Sequence, residues 1–337
     1  MVTLKDIAQE CRVSFSTVSK ALKGSSEISE ETRSFIQAKA KEMGYHPNIA
    51  ARTLRTNRTY DLCVIFEDKT GSGFQHQYFA KIISGIQSVA QKNGYEMTFT
   101  GRVDNPSFDY YTHIKARNFD GVAILSADFR SEHIQEVIKS EIPTVTLDYV
   151  FDGKHTTVLS DNKKGMKELT EYVLSMGHKK VAIIYGEKTQ VTLERLQVFD
   201  SVLSENGIEC PEERRVQGLY HDPVTSQEAT AVLLDMDEPP TCIFYPDDYA
   251  ALGGIKELNA RGLVPGKDIS IVGYDGILLT SMLVPPLTTY EQDGCLMGNS
   301  IAETLIRKIE HPDAEVDNSI SISGRLIKGG SVVNLNK

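Results

Sequence analysis

The sequence predicts a small all-α helix-turn-helix head followed by an α/β body of two doubly wound parallel-sheet subdomains with a ligand cleft. Three observations predict it. Residues 3–22 carry two short amphipathic helical runs around a tight turn, and from about residue 61 apolar strand segments alternate with amphipathic helices. The third is charge: residues 1–58 hold 10 Lys and Arg against 6 Asp and Glu, a balance of +4 on a chain whose total is −10. The remainder therefore stands at −14, so a basic head can meet phosphates while an acidic body stays clear of them. At 337 residues the chain is long enough for two or three units with sizeable cores.

The head is legible residue by residue. Leu4, Ile7, Ala8 and Cys11 follow the i, i+3, i+4, i+7 spacing of one apolar helix face. Thr3 is placed to cap this helix, and Asp6 can reach back to the cap and meets the positive end of the helix dipole. Arg12, Val13 and Ser14 form the turn, with Ser14 capping a second helix over 15–22. Val18, Ala21 and Leu22 point inward; the opposite face is centred between Ser16 and Lys20, with Phe15 and Ser19 at its edge. Hydroxyls, one cation and one aromatic suit a major groove, where Lys meets guanine acceptors and Phe touches thymine methyls. A merely solvated surface helix is the alternative reading of the same face. A third helix over 29–43, with Thr32, Ile36, Ala40 and Met43 inward, ends at Gly44. Asn48 then caps a run over 49–55, which at about two turns is marginal unless docked.

In the body, strands are predicted over 62–66, 95–100, 121–125, 144–147, 180–185, 242–245 and 269–272. Helices are predicted over 78–93, 131–140, 163–176, 193–206, 226–234, 249–260 and 294–309. A break over 148–162 separates two such series, and ligands of such sheets bind outside the carboxyl ends of the strands. The five cysteines are scattered without C-x-x-C spacing, which predicts a reduced, cytoplasmic chain without disulfides or a zinc site. The eight histidines show no ligand spacing, so no metal is expected, and His178 reads as a residue past a helix end. There is no signal peptide and no run of about 18 apolar residues, so no membrane association is expected. Nucleophile-elbow, P-loop and dinucleotide motifs are absent, so no catalytic residues and no cofactor are expected.

The stretch TLKDIAQECRVSFSTVSKALKGSSEISEETRSFIQAKAKEMGYHPNIAARTLRTNRT resembles the DNA-binding head of the lactose/galactose repressor family of bacterial transcription regulators. The resemblance implies that Phe15, Ser16 and Lys20 read bases, that residues 48–55 form a hinge helix, and that Leu54 is wedged into the minor groove. It also implies backbone contacts from Thr3, Ser14, Thr17, Ser19, Lys23, Asn48, Arg52 and Arg55. Arg12 stands where the family usually has Gly. Weaker similarity continues to about Gly330 through IPTVTLDYV, SDNKKGMKELTEYVLSMGHKKVAIIYG, PTCIFYPDDYAALGGIKELNARGL and DISIVGYDG, and resembles the family's effector domain, itself like the periplasmic sugar-binding proteins.

From that resemblance Phe79, Asp148, Arg195, Asp247 and Asp275 fall at effector positions, where Asp and Arg make directional hydrogen bonds to vicinal hydroxyls or a carboxylate. Asp275 as a turn residue and Asp247-Asp248 as a helix cap are the alternatives. Asp247 and Gly276 depart from the family's usual Asn and Asp, and the loop 69–77 is longer than usual at the cleft mouth. The implied division is a head over 1–47, a hinge and linker over 48–60, and an effector and dimerisation domain over 61–337. Its N-subdomain spans about 61–160 and 291–323, and its C-subdomain about 161–290. The implied partners are double-stranded operator DNA, a sugar-like effector and a second copy, paired through the helix near 249–258 and the segment 278–284. A binding module without regulatory DNA contact is the competing reading.

Overall fold

The computed structural model describes residues 2–22, 24–46, 53, 56, 58–67, 75–101, 105, 107–151 and 155–336. The chain separates into two compact units, Met1–Thr59 and Tyr60–Lys337.

The first unit holds α1 (Leu4–Cys11), α2 (Phe15–Leu22) and α3 (Glu30–Glu42). The Thr3–Asp6 capping box is complete: the Thr3 N–H donates to the Asp6 carboxylate at 2.8 Å and the Asp6 N–H to the Thr3 hydroxyl at 3.4 Å. Arg12 ends α1 in the left-handed region, φ 54°, where the family usually carries Gly. Its side chain is exposed, so the departure adds only the modest strain of a Cβ there, and the Arg12 N–H still returns to the Ala8 and Gln9 carbonyls. Ile7, Val18, Ala21 and Ile36 are sealed from solvent and form the core on which the three helices close. Gly44, at φ 69°, lets the Tyr45 N–H return to the Ala40 carbonyl at 2.9 Å and stops α3.

The second unit contains two six-stranded sheets. The first is built from β1 (Asp61–Phe66), β2 (Glu96–Thr100), β3 (Gly121–Ser126), β4 (Thr144–Leu147), β5 (Thr156–Ser160) and β11 (Ser319–Ile322), in the order β11-β5-β4-β3-β1-β2, all parallel. The second uses β6 (Val181–Tyr185), β7 (Arg215–Gln217), β8 (Cys242–Phe244), β9 (Ser270–Asp275), β10 (Thr288–Glu291) and β12 (Arg325–Ile327), in the order β12-β10-β9-β8-β6-β7. Only the β10–β12 pair is antiparallel. Connecting helices are α4 (Gln77–Lys92), α5 (Tyr110–Arg117), α6 (Glu132–Lys139), α7 (Asn162–Ser175), α8 (Gln190–Glu205), α9 (Pro223–Leu234), α10 (Asp248–Ala260), α11 (Leu278–Ser281) and α12 (Gly294–Glu310). The chain passes between the sheets three times, after β5, after β10 and after β11.

Five strands lie outside the expected set: β5, β7, β10, β11 and β12. β5 falls inside the expected break over 148–162 and joins β4 to β11, so that stretch is part of the first sheet. These strands are short or rich in Thr and Ser, and none presents an apolar run like those of β1, β3 and β6. The helices α5 and α11 were likewise not expected from the pattern.

The packing of α4 against α12 fixes the wall of the cleft. A Cβ added at Gly85 would fall 2.4 Å from the Cys295 carbonyl, and one at Gly298 would fall 2.0 Å from the Ile82 carbonyl. The two helices therefore touch backbone to backbone over the buried side chains Ile82, Ile86, Met297 and Ile301, which places the first turn of α4 at the cleft.

Candidate functional site

On α2 the outward face carries Phe15, Ser16 and Lys20, all exposed, while Val18 and Ala21 are buried. Ser14 caps the helix by accepting from the Thr17 N–H at 3.1 Å, and its hydroxyl lies 2.7 Å from that of Ser16 and 2.8 Å from that of Thr17. Thr3 is held in the capping box, and Ser19 is half-buried. Lys20 pairs with Glu27 across the turn. Both ends of this pair are well exposed, so a base edge competes with it at small cost. Lys23, Asn48, Arg52, Leu54 and Arg55 lie outside the described residues, as does most of the loop expected over 69–77.

In the second unit the candidate effector residues gather where the carboxyl ends of the two sheets face each other. Asp148, one residue past β4 and at φ 51°, accepts the Ser160 N–H at 2.7 Å and the Tyr78 hydroxyl at 3.2 Å. Burial pushes its carboxyl up. Arg195 lies within α8 and is buried. Its Nε donates to Asn162 Oδ1 at 2.8 Å and its Nη1 to the Pro246 carbonyl at 2.9 Å, and the guanidinium stacks 3.6 Å from the Tyr274 ring centre. Phe79 is half-buried on α4 and packs edge-on against Phe66 and His76.

Asp247 caps α10, its Oδ1 accepting the Ala250 N–H at 2.9 Å, and its Oδ2 accepts the His221 N–H at 2.7 Å. The cap alternative and the cleft position are thus both realised by one side chain. Asp248 turns the other way, accepting from the Ile277 N–H and from the hydroxyls of Thr280 and Thr289, so the two adjacent carboxylates do not act as a pair. Asp275 ends β9 at φ 108°. Its Oδ1 accepts from Gln292 at 2.6 Å, while its buried Oδ2 has no hydrogen-bond partner among the described residues. Burial and the neighbouring Asp247 push its carboxyl up to about 7. Burial acts on Asp247 in the same direction, yet His221 and the N–H groups of His221 and Ala250 hold it below the usual carboxylate range. Gly276 sits at φ 66°, and a Cβ there would fall 2.4 Å from Glu291 Cβ, so the Asp usual in the family does not fit this backbone.

Two histidines join the site without any signal in the sequence spacing. His76, the residue before α4, is buried against Tyr249 and against His221, whose ring centre is 3.8 Å away. His221 precedes α9 at φ 59° and places Nδ1 3.6 Å from Asp247. His178 is not among them: it is buried on Thr241, Ser270 and the Val333 carbonyl beyond α7, as a lone structural histidine would be. The lips of the cleft meet through Leu278 N–H to Gln77 at 2.7 Å and Val150 N–H to Gln190 at 2.9 Å. The cavity beside Arg195, lined by Tyr185, Thr192, Tyr220 and Tyr245, measures about 20 Å³, space for one water-sized group.

This arrangement agrees with what the chain is similar to. Residues 3–48 match the model of bacterial regulatory proteins, lacI family, and residues 170–332 match that of a periplasmic binding protein-like domain. The probable HTH-type transcriptional repressor ExuR of Bacillus subtilis (strain 168) is 31% identical over 320 residues, 94% of either chain. The chain belongs to the lacI family of bacterial regulatory proteins. The HTH-type transcriptional repressor PurR of Vibrio atlanticus (strain LGP32), 28% identical over 94% of both chains, stands beside it. Among solved structures, a transcriptional regulator CelR–cellobiose complex is 25% identical with a TM-score of 0.75 over 98% of this chain and 100% of that one. The lac repressor dimer bound to operator and the anti-inducer ONPF shares the fold, with a TM-score of 0.79 at 24% identity over 98% and 99% of the two chains. As a family member the protein is a DNA-binding transcriptional regulator: a helix-turn-helix head on a small-molecule effector domain. Among the described residues no helix is long and apolar enough to cross a membrane.

Proposed function

We propose that this lacI-family regulator represses transcription as a homodimer on a pseudo-palindromic operator, under control of a sugar or sugar derivative bound among Phe79, Asp148, Arg195, Asp247 and Asp275. The convergence of Asp148, Arg195, Asp247 and Asp275 at the facing ends of two parallel sheets carries the reading. Carboxylates and a guanidinium in one buried place match the paired donors and acceptors of vicinal hydroxyls. The cellobiose complex of a relative with the same fold supports the ligand class. Phe15, Ser16 and Lys20 read bases from the exposed face of α2, while Thr3, Ser14, Thr17, Ser19, Lys23, Asn48, Arg52 and Arg55 hold phosphates and Leu54 wedges the minor groove.

The proposed boundaries are a head over 1–47, a hinge over 48–60, and subdomains over about 61–160 with 291–323 and about 161–290. The two sheets support the division, with residues 325–327 returning to the second sheet. The dimer surface uses α10 and the segment 278–284, supported by the exposure of Leu278, Met282 and Val284. Arg195, Asp148 and Asp247 already hold protein partners in the cleft, so effector entry displaces side chains or parts the subdomains, and this motion is what the hinges sense. By linkage, an effector that weakens operator binding binds the operator complex more weakly by the same factor.

Selection of sites from a random duplex pool at fixed salt tests this reading. A short pseudo-palindrome should be enriched, and Leu54→Ala should weaken binding to it far more than binding to random duplex. No enrichment with or without a sugar panel would leave only the binding-module reading.

A further inference from the structure

His76, His221, Asp247 and Asp275 each turn one ligand-type atom to a common point, and these four atoms all lie within 4.8 Å of one another. The donors are two imidazole nitrogens and two carboxylate oxygens. A tetrahedral zinc with bonds of about 2.1 Å spaces its ligands about 3.4 Å apart, so a cation would draw these atoms in by less than about 1 Å apiece. Asp275 Oδ2, buried and without a hydrogen-bond partner among the described residues, supplies a second and independent sign that something positive belongs there. Two carboxylates offset a divalent charge, and neutral imidazoles complete the shell. Four mixed nitrogen and oxygen donors in a buried place suit Zn²⁺ and are poor for Mg²⁺ or Ca²⁺, which take six or more oxygens.

We propose that the cleft binds one divalent transition-metal cation of the zinc class through His76, His221, Asp247 and Asp275, and that this cation bridges the two subdomains. The bridging follows from where the ligands stand. His76 precedes α4, which packs on the first sheet, whereas His221, Asp247 and Asp275 precede α9, cap α10 and end β9 of the second. A cation held by all four opposes any widening of the cleft, so it stabilises one of the two subdomain arrangements between which the effector chooses. The surrounding shell is already set: Gln292 holds the far oxygen of Asp275, the Ala250 N–H holds that of Asp247, and Tyr249 flanks His76. The proposal rests on the cleft being the ligand site, and its test reads metal directly, without DNA or sugar.

Full-length protein stripped with chelator would be titrated with Zn²⁺ by calorimetry, with Mg²⁺ as control, and with Co²⁺ by visible absorbance, where a tetrahedral site gives intense bands. One Zn²⁺ per chain and tetrahedral Co²⁺ bands are expected, with affinity falling in His76→Gln and in Asp275→Asn by more than the roughly 10–100-fold that loss of an outer-shell partner costs. Cys295→Ser, which removes the exposed thiol, should change nothing. Equal Zn²⁺ uptake by the parent and a His76→Gln, His221→Gln double variant overturns the proposal. So does the absence of uptake. In either case a sugar response that still disappears in Arg195→Ala would leave the effector reading standing.

Discussion

The two sites of this protein are built in opposite ways. The proposed reading face of α2 takes its side chains from residues 14–20, on one helix whose inner face is buried in the head. The cleft takes His76, Asp148, Arg195, His221, Asp247 and Asp275 from six separate segments. The difference lies in what holds each group. Lys20 leans on an exposed partner and Phe15 on solvent, so the proposed reading face is adaptable. Arg195 and Asp247 are buried and already hydrogen-bonded within the body, so on the proposed function a ligand displaces contacts that the cleft groups already make.

Substitutions sharpen that contrast. The largest effect is expected from Arg195→Ala. It strips the Asn162 side chain and the Pro246 carbonyl of a donor and empties the space on Tyr274, costing about 2–4 kcal/mol in denaturant unfolding. Operator affinity should persist at temperatures where the variant is folded, while the effector response is lost; an unaltered response would remove Arg195 from the cleft. Lys20→Ala should instead leave stability unchanged and relax base preference at one symmetric pair of positions by about 1–3 kcal/mol, read from a preference matrix. An unchanged matrix would make the α2 face a solvated surface. Thr3→Ala, which breaks the capping box, should lower the stability of the head by about 1 kcal/mol while leaving the melting of the body in place. A shift of both would show the two units to be one cooperative block.

The smallest effect expected is a pH dependence. Burial holds the His178 imidazole below its ordinary value, so the unfolded chain binds a proton that the folded one refuses. Stability supplied by the neutral ring is present above about pH 6.5 and is lost as pH falls below it. The acid-side loss should be shallower in His178→Gln. Parallel pH curves for the two proteins would contradict the assignment.

The same contrast explains what could be read from the sequence. Capping boxes, helix periods and the inward set Ile7, Val18, Ala21 and Ile36 depend on spacings of three and four, and all are visible in the chain. The parallel strands β1 and β3 announce themselves as apolar runs because both faces are covered. β5, β10 and β11 are built on Thr and Ser, whose hydroxyls find partners only in the folded sheet, as Thr156 does at the Asp317 carbonyl. Among the cleft residues, family resemblance supplied the four charged positions and Phe79. It supplied neither His76 nor His221, because proximity between segments far apart in the chain leaves no periodic trace. The expectation that no metal would be held rested on the same local spacing and therefore had no view of the cluster. Arg12 and Gly276, both departures from the family pattern, are explained by backbone: one is tolerated on an exposed left-handed turn, the other required where no Cβ fits.

The coupling of the two sites is measured most directly by the affinity of the full-length protein for its selected operator, taken at fixed salt across a panel of sugars and sugar acids, for the parent and for Arg195→Ala. At least one ligand should change the parent's affinity by about 5–150-fold and leave the variant's unchanged. An identical shift in both proteins would contradict control through this cleft.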